Sequence, residues 1–193
     1  MHSHTSSILT LALLLLISGT VLAQSDSVSP ERKQAIDSLA LEKVRDLSKY
    51  ISIVGNKTTP FSEANRVIDR AEELFASAAE IGVSSLTNPE IRYYDVRAYF
   101  EHLMALNYDK VEIKWYDIQY VSDLERQPDG TYVGVITIYQ RFEGSSDDGL
   151  EYKDTTKKDI TVFVQKKETQ IGGRVIDFWD VLLGDIRVAE TTT

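Results

Sequence analysis

Cysteine is absent from this chain of 193 residues, and its absence excludes several kinds of site. Without cysteine there is no disulfide, no thiolate zinc centre and no bacterial lipoprotein anchor, which needs a cysteine at the cleavage point. Histidine is nearly as rare, since His2 and His4 lie at the start and His102 is the third. A multi-histidine metal site is therefore excluded, and we expect no metal and no cofactor. The run Ser146-Asp147-Asp148-Gly149 leaves weak carboxylate binding of calcium or magnesium open, but it lacks the spacing of a calcium loop.

Charged side chains are missing from residues 1–23, which contain an apolar run over residues 11–17. This pattern is typical of an export signal, and the small Ala23 predicts cleavage between Ala23 and Gln24. An uncleaved membrane anchor is the alternative, but residues 8–23 fall short of the ~20 apolar residues that a spanning helix needs. We therefore expect a periplasmic or secreted protein with no membrane span after cleavage.

Positive charge is in short supply, because 30 acidic residues outnumber 21 Lys and Arg and leave a net charge of −9. Such a protein repels phosphate backbones, so nucleic acid is not an expected partner. A hydrophobic content of 42% is that of an ordinary globular protein. We expect a flexible lead at residues 24–29 and a single domain at residues 30–190. The sequon Asn56-Lys57-Thr58 leaves secretion from a eukaryotic cell open.

Three helices are predicted in the first half of the mature chain. Ser29 is a good N-cap, and apolar residues then recur at three- and four-residue spacing until Gly55-Asn56 ends the first helix. A second stripe of small and apolar residues covers residues 64–78, and a third helix is predicted over residues 93–106. The period changes toward two over residues 81–86, which predicts a short strand between the second and third helices.

Four runs rich in Val, Ile, Tyr, Phe and Trp lie between Val111 and Val188, and they predict strands joined as an antiparallel meander. In the first run the apolar residues lie on one face up to Trp115 and on the other face from Tyr116. Such a change of face indicates a bulge or a strong bend. We therefore expect an α+β fold in which three N-terminal helices pack on a strongly curved antiparallel sheet and leave a cavity.

The order of helix, helix, short strand, helix and bent meander resembles the nuclear transport factor 2-like, or cystatin-like, cone superfamily. Short phrases are also similar to exported proteins of the Bacteroidetes group, namely the Ala23-Gln24 junction, Asn107-Tyr108-Asp109-Lys110-Val111, Trp115-Tyr116-Asp117-Ile118, Tyr132-Val133-Gly134-Val135-Ile136 and Gly184-Asp185-Ile186. The resemblance covers most of the mature chain and includes no catalytic signature. It implies a cone with a central pocket between helices and concave sheet, and often a homodimer formed across the convex sheet face.

Two candidate site residues lie on the third predicted helix. His102 has a side chain that titrates near neutral pH, which suits a general base facing the pocket, and Tyr99 lies on the same helix face. The alternative, which the sequence favours, is an exposed or partly buried helix histidine without a chemical role. No Gly-x-Ser-x-Gly motif accompanies it that could supply a serine nucleophile.

The cluster Trp115-Tyr116-Asp117 supplies a candidate acid. If Trp115 faces the helices, Asp117 shares its side, and an apolar cavity would raise the pKa of that carboxyl. Some cone enzymes of the superfamily that this chain resembles use a cavity carboxylate as a proton shuttle with a tyrosine, so Asp117 and Tyr139 could imitate that arrangement. The alternative, again favoured, is that the change of face turns Asp117 toward solvent.

Further charged and aromatic residues carry ambiguous signals. Arg141 could hold an anionic ligand by a bidentate hydrogen bond, or pair with an acid on the neighbouring strand. Trp179 could be pocket wall, dimer surface or, by default, core. Five lysines lie in the third of the four predicted strands. They indicate an exposed sheet edge that the lysines protect against aggregation, and the alternative, which needs more assumptions, is a surface for acidic partners. The five lysines are Lys153, Lys157, Lys158, Lys166 and Lys167.

The tentative pocket residues are Tyr99, His102, Trp115, Asp117, Tyr139, Arg141 and Trp179, and none of them is assigned a catalytic role. Because no convincing reactive group stands out, the sequence favours an exported, non-catalytic module of the cell envelope that binds a small molecule or an envelope protein, as a homodimer. The alternative is a small cofactor-free enzyme of isomerase, dehydratase or cyclase type that uses a cavity carboxylate. A structural accessory domain of an envelope assembly is a third hypothesis.

Overall fold

The computed structural model describes residues 28–120 and 122–193. The predicted export signal and most of the predicted lead lie outside the described residues. Within the described ranges, no helix has both the length and the apolar character needed to cross a membrane.

Helix α1 spans Pro30–Gly55 and begins and ends where the sequence predicts. The Ser29 hydroxyl accepts a hydrogen bond of 3.3 Å from the backbone N–H of Arg32, which satisfies one of the free donors in the first turn. The predicted apolar stripe is buried against the sheet and the other helices. Its buried members are Ile36, Ala40, Val44, Leu47, Ile51 and Val54.

Helices α2 (Phe61–Glu72) and α3 (Val96–Met104) are both shorter than the apolar stripes predict. Beyond α2 the chain leaves the helix, and Phe75 forms an isolated parallel bridge with Leu183. The apolar residues that follow α2 therefore contact the sheet instead of extending the helix. The first residues of the third predicted helix are extended, and Asp95 caps α3 by accepting a hydrogen bond of 2.8 Å from the Ala98 N–H.

The sheet has seven strands in the spatial order β2-β1-β7-β6-β5-β3, and β4 also pairs with β5. The strands β3, β5, β6 and β7 form the predicted antiparallel meander, whereas Ile81 of β1 pairs with Ile186 of β7 in parallel. The α+β class with three helices packed on the sheet is confirmed, but the sheet is mixed and does not close. The strand bounds are β1 Glu80–Val83, β2 Arg92–Asp95, β3 Lys110–Tyr120, β4 Glu125–Arg126, β5 Tyr132–Ser145, β6 Glu151–Ile171 and β7 Arg174–Thr192.

The predicted bulge lies in β3, where the register with β5 shifts between Tyr116 and Gln119. Asp117, inside the bulge, has a φ of 48°. This left-handed conformation is uncommon for residues with a side chain, and it allows the strand to change face and bend. The change of face at Trp115 and Tyr116 is thus a genuine bend in the sheet.

The inner face of the sheet is built by alternate residues of the long strands, as a period of two requires. Residues of β5, β6 and β7 on this face join α1, α2 and α3 in one buried core. The central members from the sheet are Ile136, Ile138, Ile160, Val162, Val164, Leu183 and Ile186.

Strand β6 is not the exposed edge that its lysines suggested, because it lies between β5 and β7. The prediction that these lysines are exposed is wrong most clearly for Lys158, whose side chain is only 2% exposed. Lys158 occupies the same face as the buried Ile160, Val162 and Val164, whereas Lys157 points to the opposite face and is half-buried. Strand periodicity therefore directs Lys158 inward.

Candidate functional site

A cavity of about 270 Å³ lies at one end of the molecule, between α3, the segment around β1 and β2, and the inner face of β3, β5 and β6. Its lining combines aromatic and aliphatic side chains with polar and charged ones, which could fix the orientation of a bound ligand. The apolar and aromatic lining residues are Val83, Tyr94, Tyr99, Leu103, Leu106, Tyr108, Ile113, Phe142 and Tyr152.

Two charged residues of β6, Asp154 and Lys158, line this cavity from the inner face of the sheet. Their exposed fractions are 4% and 2%, so both are buried. Asp154, Thr156 and Lys158 alternate with outward-facing residues, and the face they share continues as Ile160. The cavity therefore lies where the inner face of β6 changes from apolar to polar.

The Lys158 ammonium has a neutral hydrogen-bond partner. Its Nζ donates to the backbone carbonyl of Gly82 in β1 at 3.1 Å, and it lies 5.9 Å from the centre of the Tyr99 ring. Burial lowers the pKa of Lys158 to about 8, although the charge of Asp154 acts in the opposite direction. A substantial neutral fraction of this amine therefore exists at pH values near neutrality.

Asp154 is held by a short chain of hydrogen bonds. The Tyr152 hydroxyl donates to Asp154 Oδ2 at 2.6 Å and accepts from the backbone N–H of Leu86 at 2.8 Å. Burial raises the pKa of the Asp154 carboxyl, and the hydrogen bond from Tyr152 and the charge of Lys158 partly oppose that effect. Burial also raises the pKa of Tyr152, to about 12. The Tyr152 hydroxyl is therefore protonated at neutral pH and acts as a donor.

The mouth of the cavity is polar and is formed largely by the segment that joins β1 to β2. Ser84, Ser85, Thr87 and Asn88 line it together with charged and aromatic residues near β2 and α3. The Ser84 hydroxyl lies 2.6 Å from that of Thr191 in β7, which ties this segment to the sheet. The charged and titratable residues at the mouth are Glu90, Arg92 and His102.

Two residues of the tentative pocket set, Tyr99 and His102, do line the cavity. Tyr99 is buried, and burial raises the pKa of its hydroxyl. The His102 ring is exposed at the mouth and stacks on Tyr94, with 5.2 Å between the ring centres. His102 is therefore placed to contact a ligand that enters the cavity.

The other tentative residues lie elsewhere, and the structure does not bring them together with Tyr99 and His102. Trp115 does not line the cavity, but its Nε1 donates at 3.0 Å to Oε1 of Gln140, which does. Asp117 is exposed at the bulge. Tyr139, on the outer face, stacks on Tyr116 with 5.7 Å between ring centres.

Arg141 and Trp179 also lie outside the cavity lining, and Trp179 packs against the core. Arg141 is exposed on a surface hollow that Trp115 also lines. The Trp179 ring packs edge-on against Tyr132, and Arg32 lies 5.9 Å from its centre. Trp179 thus belongs to the packing at the opposite part of the sheet from the cavity polar groups.

The sequence did not place Lys158, Asp154 and Tyr152 in the pocket, although the structure shows that all three line the cavity. A signal for the first two was available, because residues 154, 156 and 158 continue the face of Ile160 and Val162 by strict alternation. In the described part of the chain, no group of three or more His, Cys, Asp or Glu side chains is arranged to hold a metal ion.

No protein-family model and no curated protein matches the chain. Among solved structures, the chain is similar to a proposed scytalone dehydratase from Novosphingobium aromaticivorans. The identity is 11%, the likeness covers 83% of this chain and 89% of the other, and the TM-score is 0.41. A likeness of this degree says nothing about the activity of this chain.

Proposed function

We propose that the protein is a binding module that holds a small organic molecule in the cavity, with the polar end of the ligand near Lys158 and Asp154. The observation that carries this proposal is the placement of two buried charged side chains on the wall of a cavity that aromatic and aliphatic residues also line. Burying such groups lowers stability unless they are well paired, and titratable groups in an apolar pocket are a common mark of a binding site.

The dimensions of the cavity limit the ligand. A volume of about 270 Å³ is just below the ~300 Å³ at which pockets for drug-sized molecules begin, so the ligand is smaller than a typical drug. Its apolar body would pack against Leu103, Phe142 and Tyr108. A carboxylate or carbonyl oxygen would accept a hydrogen bond from Lys158, and a hydroxyl would donate to Asp154.

Fluorescence titration with 6-hydroxynaphthalene-2-sulfonate tests this proposal, because this small naphthalene dye combines an aromatic body with an anionic group. We expect saturable binding of one dye per chain. Leu106→Trp, which fills the cavity from its wall, and Lys158→Met, which removes the cation, should each weaken binding at least tenfold. Leu150→Trp is the matched control on an exposed loop residue. Equal binding by the wild type and Leu106→Trp would contradict the proposal.

A second candidate function is cofactor-free proton transfer, as in an isomerase or dehydratase with a cavity carboxylate. Asp154 favours it, because the pKa of this carboxyl is raised and the Tyr152 hydroxyl donates a hydrogen bond to it. The sequence predicted the same combination of a carboxyl and a tyrosine, but at Asp117 and Tyr139. The test is exchange of the α-protons of cyclohexanone in deuterated buffer, followed by NMR. Exchange that Asp154→Asn abolishes and Asp117→Asn leaves intact would favour the enzyme over the binding module.

We also propose that the chain is an exported member of the nuclear transport factor 2-like superfamily. The order of helices and strands and the cavity between α3 and the sheet support this assignment. The prediction of export is tested by expressing the full chain in a Gram-negative host and sequencing the mature N-terminus. A periplasmic product that begins at Gln24 is expected, and a cytoplasmic product that retains residues 1–23 would contradict it.

A homodimer through the outer sheet face is the third part of the proposal. Val133, Phe163 and Leu182 are register partners across β5, β6 and β7 on the face opposite the core, and they form an apolar row. Light scattering should give twice the chain mass for the wild type and for the loop control Leu150→Lys, and the chain mass for Phe163→Lys. A monomeric wild type at high micromolar concentration would overturn this part alone.

A further inference from the structure

Lys158 is the one buried lysine among the described residues, and it differs from the others in what surrounds its amine. Several exposed and half-buried lysines form surface ion pairs, such as Lys49 with Asp46 at 2.8 Å. Lys57 also donates to backbone carbonyls, those of Met104 and Leu106, but it is only half-buried and lies outside the cavity lining. Lys158 instead lines the cavity and donates to the neutral carbonyl of Gly82. A hydrogen bond to a neutral carbonyl leaves the nitrogen available once the proton is lost.

From this geometry we propose that Lys158 forms a reversible imine with an aldehyde or ketone bound in the cavity. This inference rests on the proposed function and deepens it, because it assigns the ligand to the carbonyl compounds. The aromatic and aliphatic wall residues would pack on the body of such a compound, and Lys158 lines the same space.

The electrostatics support nucleophilic attack by this amine. With the pKa of Lys158 lowered to about 8, roughly one-tenth of its side chains are neutral at pH 7. This neutral fraction is about 300-fold larger than that of a lysine with the usual pKa of 10.5. Desolvation in an apolar site is an established way of activating a lysine toward carbonyl groups.

Neighbouring groups supply the protons that imine formation requires. The neutral amine attacks the carbonyl carbon, and one proton moves from nitrogen to the new oxygen, which gives a carbinolamine. The Asp154 carboxyl, whose pKa is raised by burial, takes up a proton from solvent and passes it to the hydroxyl, and the carbon–oxygen bond breaks to release water. The products are a protonated imine on Lys158, the Asp154 carboxylate as its counter-ion, and one water. No oxidant or reductant is needed.

The charges in the cavity are compatible with these reaction steps. The protonated imine is a cation, the Asp154 carboxylate is its counter-ion, and the Tyr152 hydroxyl donates to Asp154 Oδ2 at 2.6 Å. This hydrogen bond stabilises the carboxylate that forms when water leaves. Hydrolysis by the reverse path returns the carbonyl compound, so attachment is reversible.

Reductive trapping tests the inference, with benzaldehyde as the probe and sodium cyanoborohydride as the reductant at pH 7. We expect the intact protein to gain one benzyl group, and peptide mapping to place it on Lys158 at least tenfold faster than on any other lysine. Lys157→Met is the matched control, because it removes the adjacent, outward-facing lysine and should label as the wild type does. Lys158→Met should lose the rapid labelling while retaining the circular dichroism spectrum of the wild type.

Dye displacement separates failure of this inference from failure of the proposed function. If benzaldehyde displaces the naphthalene dye but labels only exposed lysines, the imine inference is wrong and the proposed binding function still holds. An absence of both dye binding and labelling of Lys158 would overturn both. Competition by benzoate, which fits the same space but cannot form an imine, should slow labelling of Lys158 alone. Unchanged labelling in excess benzoate, together with dye displacement by benzoate, would place the reactive lysine outside the cavity and contradict the inference.

Discussion

The side chain of Lys158 in β6 reaches across β7 to donate a hydrogen bond of 3.1 Å to the carbonyl of Gly82 in β1. The lysine thus links two strands that do not pair with each other. Because the ammonium is buried and its partner is neutral, its charge lowers the stability of the folded state.

The first prediction concerns stability against pH. The pKa of Lys158 is about 8 in the folded chain and 10.5 is its ordinary value, so between these values the unfolded chain binds more protons. Stability therefore rises with pH in that window, by roughly 2 kcal/mol between pH 7 and 9.5 for this group. Urea unfolding at several pH values measures the effect, as the difference between the wild type and Lys158→Met.

Lys157→Met is the control for this prediction, because its side chain lies on the outer face. Its unfolding free energy should follow that of the wild type across the same pH range. A constant difference between the wild type and Lys158→Met from pH 7 to 9.5 would mean that the lysine titrates as an ordinary exposed group.

Tyr152→Phe should reduce the free energy of unfolding by about 1–3 kcal/mol, because the Leu86 N–H and the buried Asp154 each lose a hydrogen-bond partner. Chemical denaturation measures the change, with Tyr116→Phe at an exposed position as control. The same variant should raise the pKa of Asp154 further, since the hydrogen bond from Tyr152 lowers it. NMR titration of the Asp154 carboxyl carbon checks this second effect, and a lower pKa would contradict it.

Gly184→Ala should destabilise the protein by about 1–3 kcal/mol through overpacking. A Cβ atom at this position would lie 2.4 Å from a ring carbon of Phe163, far inside normal contact distance. Thermal unfolding of Gly184→Ala, Phe163→Leu and the double variant forms a cycle that measures the clash. We expect the double variant to lose less stability than the sum of the single variants, whereas strict additivity would mean that the ring moves aside freely.

Asp117→Gly should leave stability unchanged or raise it by up to about 1 kcal/mol, because glycine adopts a positive φ without strain. Asp117→Ala, by contrast, should lower it. Neither variant should change binding of the naphthalene dye, since Asp117 is exposed outside the cavity lining. A loss of dye affinity in both would instead favour the carboxylate site that the sequence suggested.

Much of the fold follows from local patterns in the sequence. The N-cap at Ser29 and the stripe of α1 are short-range features, and the change of face at Trp115 and Tyr116 correctly predicts the bulge of β3. The parallel pairing of Ile81 with Ile186 is not encoded in any local window, because it depends on which strand edge is free when the long strands have paired. The predicted end of the second helix was wrong for the same reason. Phe75, which the sequence placed in that helix, forms a bridge with Leu183 instead.

The cavity was harder to predict than the fold. Tyr99 and His102 could be placed because helix spacing relates them directly to the buried stripe of α3. Lys158 was interpreted from residue type, as a solvated lysine on an edge, although its period-two relation to Ile160 directs it inward. The position of β6 between β5 and β7, which makes that inward face a cavity wall, is a long-range property of the sheet.

The place of β7 between β1 and β6 also orders events in folding. The backbone N–H of Glu80 donates to Asp185 at 3.0 Å across a separation of 105 residues, and β7 is the strand of the meander with which β1 pairs. Loop closure on this scale is entropically costly before any contact compensates, and topologies rich in such contacts fold in milliseconds to seconds. The pairing of β1 with the sheet therefore requires the edge of β7, so we expect the wall of the cavity around β1 to form late in folding.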